Sequence, residues 1–277
     1  MNITAADVNK LRQMTGAGMM DCKKALTESN GDFEAAIDIL RKKGQKVSAN
    51  RADRAAAEGV VFVDINESAT EGFVVALNCE TDFVAKNSDF IAIGKQILSK
   101  AKAHKPTTAE ALVKIDLDGR TIEEHLSDMM GKIGERIFVS SYAYLQGEKV
   151  VSYLHSNSKL GVLVCLKGAN GSETELAGKD VAMQIAAMKP IALDKDGVDS
   201  ATIAREIEIG KDQARAEGKP EAMLEKIAEG KLNRFYKDNT LLNQDFVKDN
   251  KMSVRQYLDS VKKGLTVSAF TRIDVSN

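Results

Sequence analysis

One pattern occurs twice in this chain, and a repeat of that size restricts the fold to architectures that pair or stack a single unit. Residues 58–65, EGVVFVDI, are followed by a turn, EGFVVALNCETDF and a helical run. Later, EKVVSYLH is followed by a turn, KLGVLVCLKG and a second helical run. Each helical run stops at a Lys-Pro pair, Lys105-Pro106 and Lys189-Pro190. A third strand closes each unit, ERIFVSSYAYL in the first and LTVSAFTRIDV in the second. Alternation is clear through Ile137, Val139 and Ser141, and again through Val267, Ala269 and Thr271, as a half-buried strand requires. Each unit is therefore expected to be a three-stranded antiparallel sheet with helices on one face, an α+β design. Two such units can pair about a pseudo-twofold axis.

The second unit is longer than the first between its helix and its last strand, beyond what ordinary loops carry. The excess is helix-forming on both sides of Gly218-Lys219-Pro220, with Pro220 suited to the first turn of the second helix. Ile203, Ile207 and Ala214 face Leu224, Ile227, Ala228, Leu232 and Phe235 at helical spacing. An antiparallel helical hairpin inserted at about 198–238 is expected, either protruding or lying on the core.

Ahead of the repeats lies a small helical module. Val8, Leu11 and Met14 keep helical spacing until Thr15-Gly16-Ala17-Gly18 breaks the run. Met19, Cys22, Ala25 and Leu26 form a second stripe, stopped at Asn30-Gly31, a left-handed C-terminal signal. Asp32 is suited to cap a third helix carrying Phe33, Ala36, Ile37 and Leu40, expected to end before Gly44. The domain reading is thus 1–45 for the module, 46–57 for a helical or flexible linker, 58–146 for the first repeat and 147–277 for the second.

The chemistry-bearing inventory is sparse. No phosphate loop is present, and GAGMM follows a helix where a dinucleotide fingerprint would follow a strand. His104, His125 and His155 stand apart, without a second ligand at zinc spacing. Cys79 is the one candidate nucleophile, but a Cys ending an apolar strand reads as core. The other cysteines are Cys22 and Cys165, an odd and scattered set that fits a reducing compartment. With 39 basic and 40 acidic residues, the net charge of -1 disfavours broad nucleic-acid or anionic-membrane binding. No signal peptide and no apolar run near the ~20 residues of a bilayer span is seen. A cytoplasmic binding protein, with no catalytic residues, no cofactor and no metal of its own, is the expectation.

Two stretches carry candidate contacts. In NCETDFVAKN, Phe83 stands in a polar strand-to-helix turn, where it either becomes an exposed anchor or folds back onto its sheet. In LRQMTGAGMMDCKKAL, Met19 and Met20 are adjacent and cannot both enter one small core, so at least one faces outward.

LRQMTGAGMMDCKKALTESNGD and ALNCETDFVAKN closely resemble the two signature stretches of the elongation factor Ts family. The resemblance extends to GVLV, to AAMKP and to the hairpin around Gly218-Lys219-Pro220. It implies an N-terminal module similar to a ubiquitin-associated domain and a guanine-nucleotide exchange activity on elongation factor Tu, in its GDP-bound and nucleotide-free forms. By the same resemblance, Thr81, Asp82, Phe83 and Val84 match the motif that displaces Mg²⁺ from the partner GTPase. Arg12, Met19, Met20 and His155 fall at partner-contact positions. Asn9 and Lys159 stand where the family has Lys and Arg, and Gln244-Asp245-Phe246 lacks the usual proline. The chain ends at Asn277, so the C-terminal helical extension of some relatives is not expected. A nucleic-acid-binding accessory factor of translation is the competing reading, and it requires a basic face with interleaved aromatics.

Overall fold

A computed structural model describes residues 3–276 other than 52, 170 and 172. The N-terminal module contains α1 (Ala5–Thr15), α2 (Met19–Glu28) and α3 (Phe33–Arg51). Thr4 and Asp7 form a capping box at the start of α1, and Gly16 ends it at φ 65. Asn30 and Gly31 carry the left-handed turn before α3, and Asp32 accepts the Ala35 N–H at 3.0 Å. The buried core here is small: Val8, Leu11, Cys22, Ala25, Leu26 and Ala36. At roughly 1.5–3 kcal/mol per large side chain, that core is marginal alone.

Two expectations for this region need correction. Met14 is not part of the inward stripe but 58% exposed, because α1 stops one residue later and nothing covers it. The third helix does not end before Gly44. It runs on to Arg51, so the stretch read as a helical or flexible linker begins as helix. Gly44 is buried where α3 crosses a later helix, and a Cβ on Gly131 of that helix would lie 2.7 Å from the Gly44 Cα. The helix-propensity cost of glycine, about 1 kcal/mol, is offset by this close approach.

The first repeat runs β1 (Glu58–Ile65), β2 (Glu71–Cys79), α4 (Asp82–Ala85), α5 (Ser88–His104), α6 (Ala109–Val113), β3 (Asp116–Leu117), β4 (Arg120–Thr121), α7 (Ile122–Ile133) and β5 (Ile137–Gln146). The second runs β6 (Lys149–Leu154), β7 (Leu160–Lys167), α8 (Glu173–Met188), α9 (Ser200–Ala216), α10 (Glu221–Asn239), β8 (Asp245–Phe246), β9 (Asp249–Ser253), α11 (Val254–Val261) and β10 (Thr266–Asp274). The sheets are antiparallel, ordered β1-β2-β5 and β10-β7-β6, so the second strand of each repeat is central in its sheet. The α+β reading with two repeated three-stranded sheets holds. The correspondence goes further than the sequence suggested: a two-residue-ladder hairpin and a capping-box helix precede the last strand in both, at Thr121 with Glu124 and at Ser253 with Gln256. The Lys-Pro stops are equivalent too, with Lys105 at φ 46 and Lys189 at φ 48.

The sheets pack face to face, helices outside. Val61, Val74 and Ala76 meet Val150, Leu163, Cys165 and Ile273 between them. This is why β2 and β7 read as continuous apolar runs: their central positions are covered on both faces. The closing strands do not alternate cleanly as expected. Each carries a bulge, at Ser140 between Val139 and Ser141 and at Ser268 between Val267 and Ala269, which shifts which side chains face inward.

In the helical hairpin, α9 and α10 pack chiefly on each other through Gly210, Ala214, Leu224 and Ala228. Gly218 turns the chain at φ 72, and Pro220 caps α10 one residue ahead of its first turn instead of lying within it.

Candidate functional site

β2 carries the second signature stretch to the surface at the point where strand gives way to helix. Phe73 to Cys79 are buried, and the chain then leaves the sheet at Glu80. Thr81 has extended backbone and caps the single turn of α4, its Oγ1 accepting the Val84 N–H at 3.4 Å. The turn sorts its side chains. Val84 and Ala85 enter the first repeat's core, which anchors the corner, while Phe83 points into solvent. Phe83 is 82% exposed, the most exposed large apolar side chain among the described residues. It does not fold back on its sheet. Leaving it in water forgoes about 1.5–3 kcal/mol of burial.

Asp82 accepts a hydrogen bond from Lys86 Nζ at 2.7 Å. That bond and the Lys86 charge hold its carboxyl below the ordinary aspartate value, with Lys159 contributing less. Two more carboxylates pin the corner. Glu135 accepts from the Thr81 N–H at 3.0 Å and from its hydroxyl at 2.8 Å. Glu80 accepts from Arg51 at 2.7 Å and from the Arg136 N–H at 2.7 Å. Cys79 is fully buried and donates to the Thr81 carbonyl at 3.1 Å. Burial, and then the charges of Glu135 and Glu58, push its thiol up to about 12, which removes the thiolate a nucleophile needs.

The second repeat reaches the same end of the first sheet. Its β6–β7 turn holds exposed His155, whose Nδ1 lies 2.7 Å from the Tyr153 hydroxyl. The Ser158 carbonyl in that turn accepts the Val61 N–H at 2.7 Å. Lys159 pairs at 2.5 Å with Glu58, which is the strand partner of Cys79. The His155 turn and the Asp82–Phe83 corner thus flank one end of β1.

Arg12, Met19 and Met20 lie on the three-helix module instead. Arg12 is exposed in the last turn of α1. Met19 and Met20 open α2 at 51% and 75% exposure, so both face outward. Met14, exposed as well, lines a cavity of about 240 Å³ together with Ile37, Leu40 and Lys132. Among the described residues no hydrogen bond or ion pair ties Arg12, Met19 or Met20 to the corner. The link between the two surfaces is α3, whose last residue, Arg51, reaches Glu80.

Sequence reasoning missed Glu80, Glu135 and Arg51. The only available signal was a Glu beside Thr81 and a Glu-Arg pair opening the closing strand. Among the described residues no group of three His, Cys, Asp or Glu is placed to hold a metal, and no helix is long and apolar enough to cross a membrane.

A family model described as elongation factor TS matches residues 80–277. A protein of Cytophaga hutchinsonii named elongation factor Ts is 64% identical over 275 residues, covering 99% of each chain. Its namesakes in Amoebophilus asiaticus and Saccharopolyspora erythraea are 56% identical over 273 residues and 46% identical over 279 residues, covering 99% of this chain each time and 99% and 98% of the relatives. Similarity of that extent, on a fold with paired sheets and a corner that exposes Phe83, decides the matter: the chain belongs to the elongation factor Ts family of translation elongation factors.

Proposed function

We propose that this chain is a guanine-nucleotide exchange factor that binds elongation factor Tu·GDP, displaces Mg²⁺ from it and promotes GDP release. The single observation that carries the reading is Phe83, 82% exposed on a corner that is otherwise anchored on both sides. A bound nucleoside diphosphate is held by Mg²⁺ and by backbone donors of the GTPase phosphate loop. An aromatic wedge that moves the elements carrying the magnesium ligands leaves phosphate charge uncompensated, and GDP departs faster. Asp82, next to it, keeps an ionised carboxylate for that displacement. Thr81 and Val84 set the corner's conformation, from the cap and from the core.

Arg12, Met19 and Met20 would dock the module on the GTPase domain, and His155 would touch another domain of the partner. Exchange then needs no general acid, base or covalent intermediate, since the factor acts only through differential binding. The coupling is reciprocal, so nucleotide weakens factor binding by the same ratio that factor weakens nucleotide binding. Direct nucleic-acid binding has no support in the nearly neutral charge.

The test is release of a fluorescent GDP analogue from the cognate elongation factor Tu, with this protein in catalytic amounts. Acceleration that drops sharply in Asp82→Ala and in Phe83→Ala supports the reading. No acceleration by the unmodified chain overturns it.

A further inference from the structure

Beyond the point where β2 and β5 part, side chains take over from the backbone ladder. Strand pairing ends with Cys79 opposite Ile137. Past it, Glu80 Oε1 accepts the Arg136 N–H at 2.7 Å, while Glu135 Oε2 accepts the Thr81 N–H at 3.0 Å. Each segment's carboxylate therefore holds the other segment's backbone. Glu135 also takes the Thr81 hydroxyl on its second oxygen, at 2.8 Å. Arg51, the last residue of α3, donates to the same Glu80 oxygen at 2.7 Å, and the Arg136 guanidinium donates to the Arg54 carbonyl at 2.6 Å.

This crossed clamp answers a physical problem. The α4 turn has four residues, too few to be stable as a helix by itself. Phe83 is too exposed for packing to fix its direction. A wedge works only if it arrives already aimed, because small misplacements of a working group are costly. We propose that Glu80 and Glu135 are positioning residues for the exchange motif. Glu135 fixes Thr81 and with it the aim of Asp82 and Phe83. Glu80 holds the same corner to the end of α3, so that the docking module and the wedge approach the GTPase in register. The carboxylate at 135 gives each Thr81 donor its own charged acceptor oxygen, whereas a glutamine takes the N–H on its single oxygen and must meet the hydroxyl through NH₂, so two charge-assisted bonds become neutral ones.

The inference rests on the exchange reading, and the experiment separates the two. Glu135→Gln is assayed for accelerated GDP-analogue release across a range of factor concentrations, with amide hydrogen exchange followed at Thr81 and Val84. The expected result is a saturating rate lowered at least about tenfold, a half-saturating concentration changed less than about twofold, and faster exchange at both amides. A merely structural role would lower the active fraction and leave the saturating rate per active molecule unchanged. Glu135→Asp, which keeps both acceptor oxygens, is expected to recover part of the rate. A wild-type saturating rate in Glu135→Gln, while Phe83→Ala is impaired, overturns the positioning role and leaves the exchange reading intact. Should the unmodified chain fail to accelerate release, the exchange reading falls and with it the role proposed for the clamp. If Glu135→Gln does not fold, Glu80→Ala, which removes the oxygen shared by Arg51 and the Arg136 N–H, is read instead: a raised half-saturating concentration with faster exchange of the Arg136 amide supports the clamp, and wild-type behaviour in both overturns it.

Discussion

The Val61 N–H donates to the Ser158 carbonyl at 2.7 Å, across the boundary between the two repeats. Its counterpart is the Val150 N–H, which donates to the Ala69 carbonyl at 2.6 Å. Ser158 and Ala69 share a left-handed backbone, φ 56 and φ 54, so each β-turn is bent the same way to reach the other sheet's first strand. The following carbonyls continue the exchange: Thr70 accepts from Gly147 and Lys159 from Val275, both at 3.0 Å. Each first strand, an edge of its own sheet, is thus held at one point by the other repeat's turn. The same bonds draw the His155 turn against the sheet that ends in the Asp82–Phe83 corner.

This reciprocal seating depends on two glycines. A Cβ at Gly72 would lie 2.7 Å from Val150 Cγ1, and one at Gly161 would lie 2.6 Å from Val61 Cγ1. Gly72→Ala and Gly161→Ala should each cost about 1–3 kcal/mol, as overpacking does. Urea unfolding monitored by circular dichroism checks this. The double variant should fall short of additivity, because either substitution already separates the sheets. Costs under about 0.5 kcal/mol would mean the sheets yield freely.

Cys79 supplies a chemical prediction. With its thiol pushed up to about 12, only about one molecule in ten thousand carries a thiolate at pH 8. Cys22 and Cys165 are buried as well. A thiol reagent should therefore leave the native protein unmodified for hours and react with all three cysteines in denaturant. Rapid native modification at Cys79, counted by mass spectrometry, would contradict this burial.

At the crossing of α3 and α7, a side chain on Gly131 would push first against the Gly44 backbone. Gly131→Ala should force the helices apart and cost about 1–3 kcal/mol. If the module docks on the partner, displacing α3 should also weaken binding to elongation factor Tu several-fold, measured by titration calorimetry, with the saturating exchange rate less affected.

Much of this fold was legible in the chain, for identifiable reasons. The repeat showed because β2 and β7 must be apolar on both faces, and the caps showed because Gly16, Asn30 and Asp32 have few other uses in such contexts. Gly44 misled because a glycine that ends a helix and one that lets two helices touch look alike without the second helix. The bulges at Ser140 and Ser268 were invisible for a related reason: they are set by the partner strand's register. At the candidate site, the residue types of TDFV pointed to the corner, while Phe83's exposure depended on the path of α4. Glu80 and Glu135 lie far apart in sequence, and half of the bonds they make are to backbone, which composition does not reveal.

The Asp82–Lys86 pair fixes a pH dependence. Asp82's carboxyl is lowered, so its stabilising share is present above the ordinary aspartate value and is lost as pH falls through the lowered one. Lys86 is raised by Asp82, so its share is present below the ordinary lysine value and lost as pH climbs through the raised one. Between about pH 6 and 9 neither titrates, and exchange activity should show no Asp82-dependent inflection there. NMR titration of the Asp82 carboxyl carbon should move toward the ordinary aspartate value in Lys86→Met, and an unmoved midpoint would show that the pair does not form in solution.

Phe83 separates stability from activity. At 82% exposure its truncation removes almost no core contact, so Phe83→Ala should shift unfolding by no more than about 0.5 kcal/mol. As a wedge it should behave like a central anchor, whose loss costs about 2 kcal/mol or more in binding, roughly a thirtyfold drop in exchange efficiency. Phe83→Leu, which keeps apolar volume without the ring, should fall between the two. Stopped-flow release of the GDP analogue and thermal unfolding on the same three proteins make the comparison. Equal exchange in all three would show that the corner does not use this side chain, and a large stability loss in Phe83→Ala would place the ring in a core it does not occupy here.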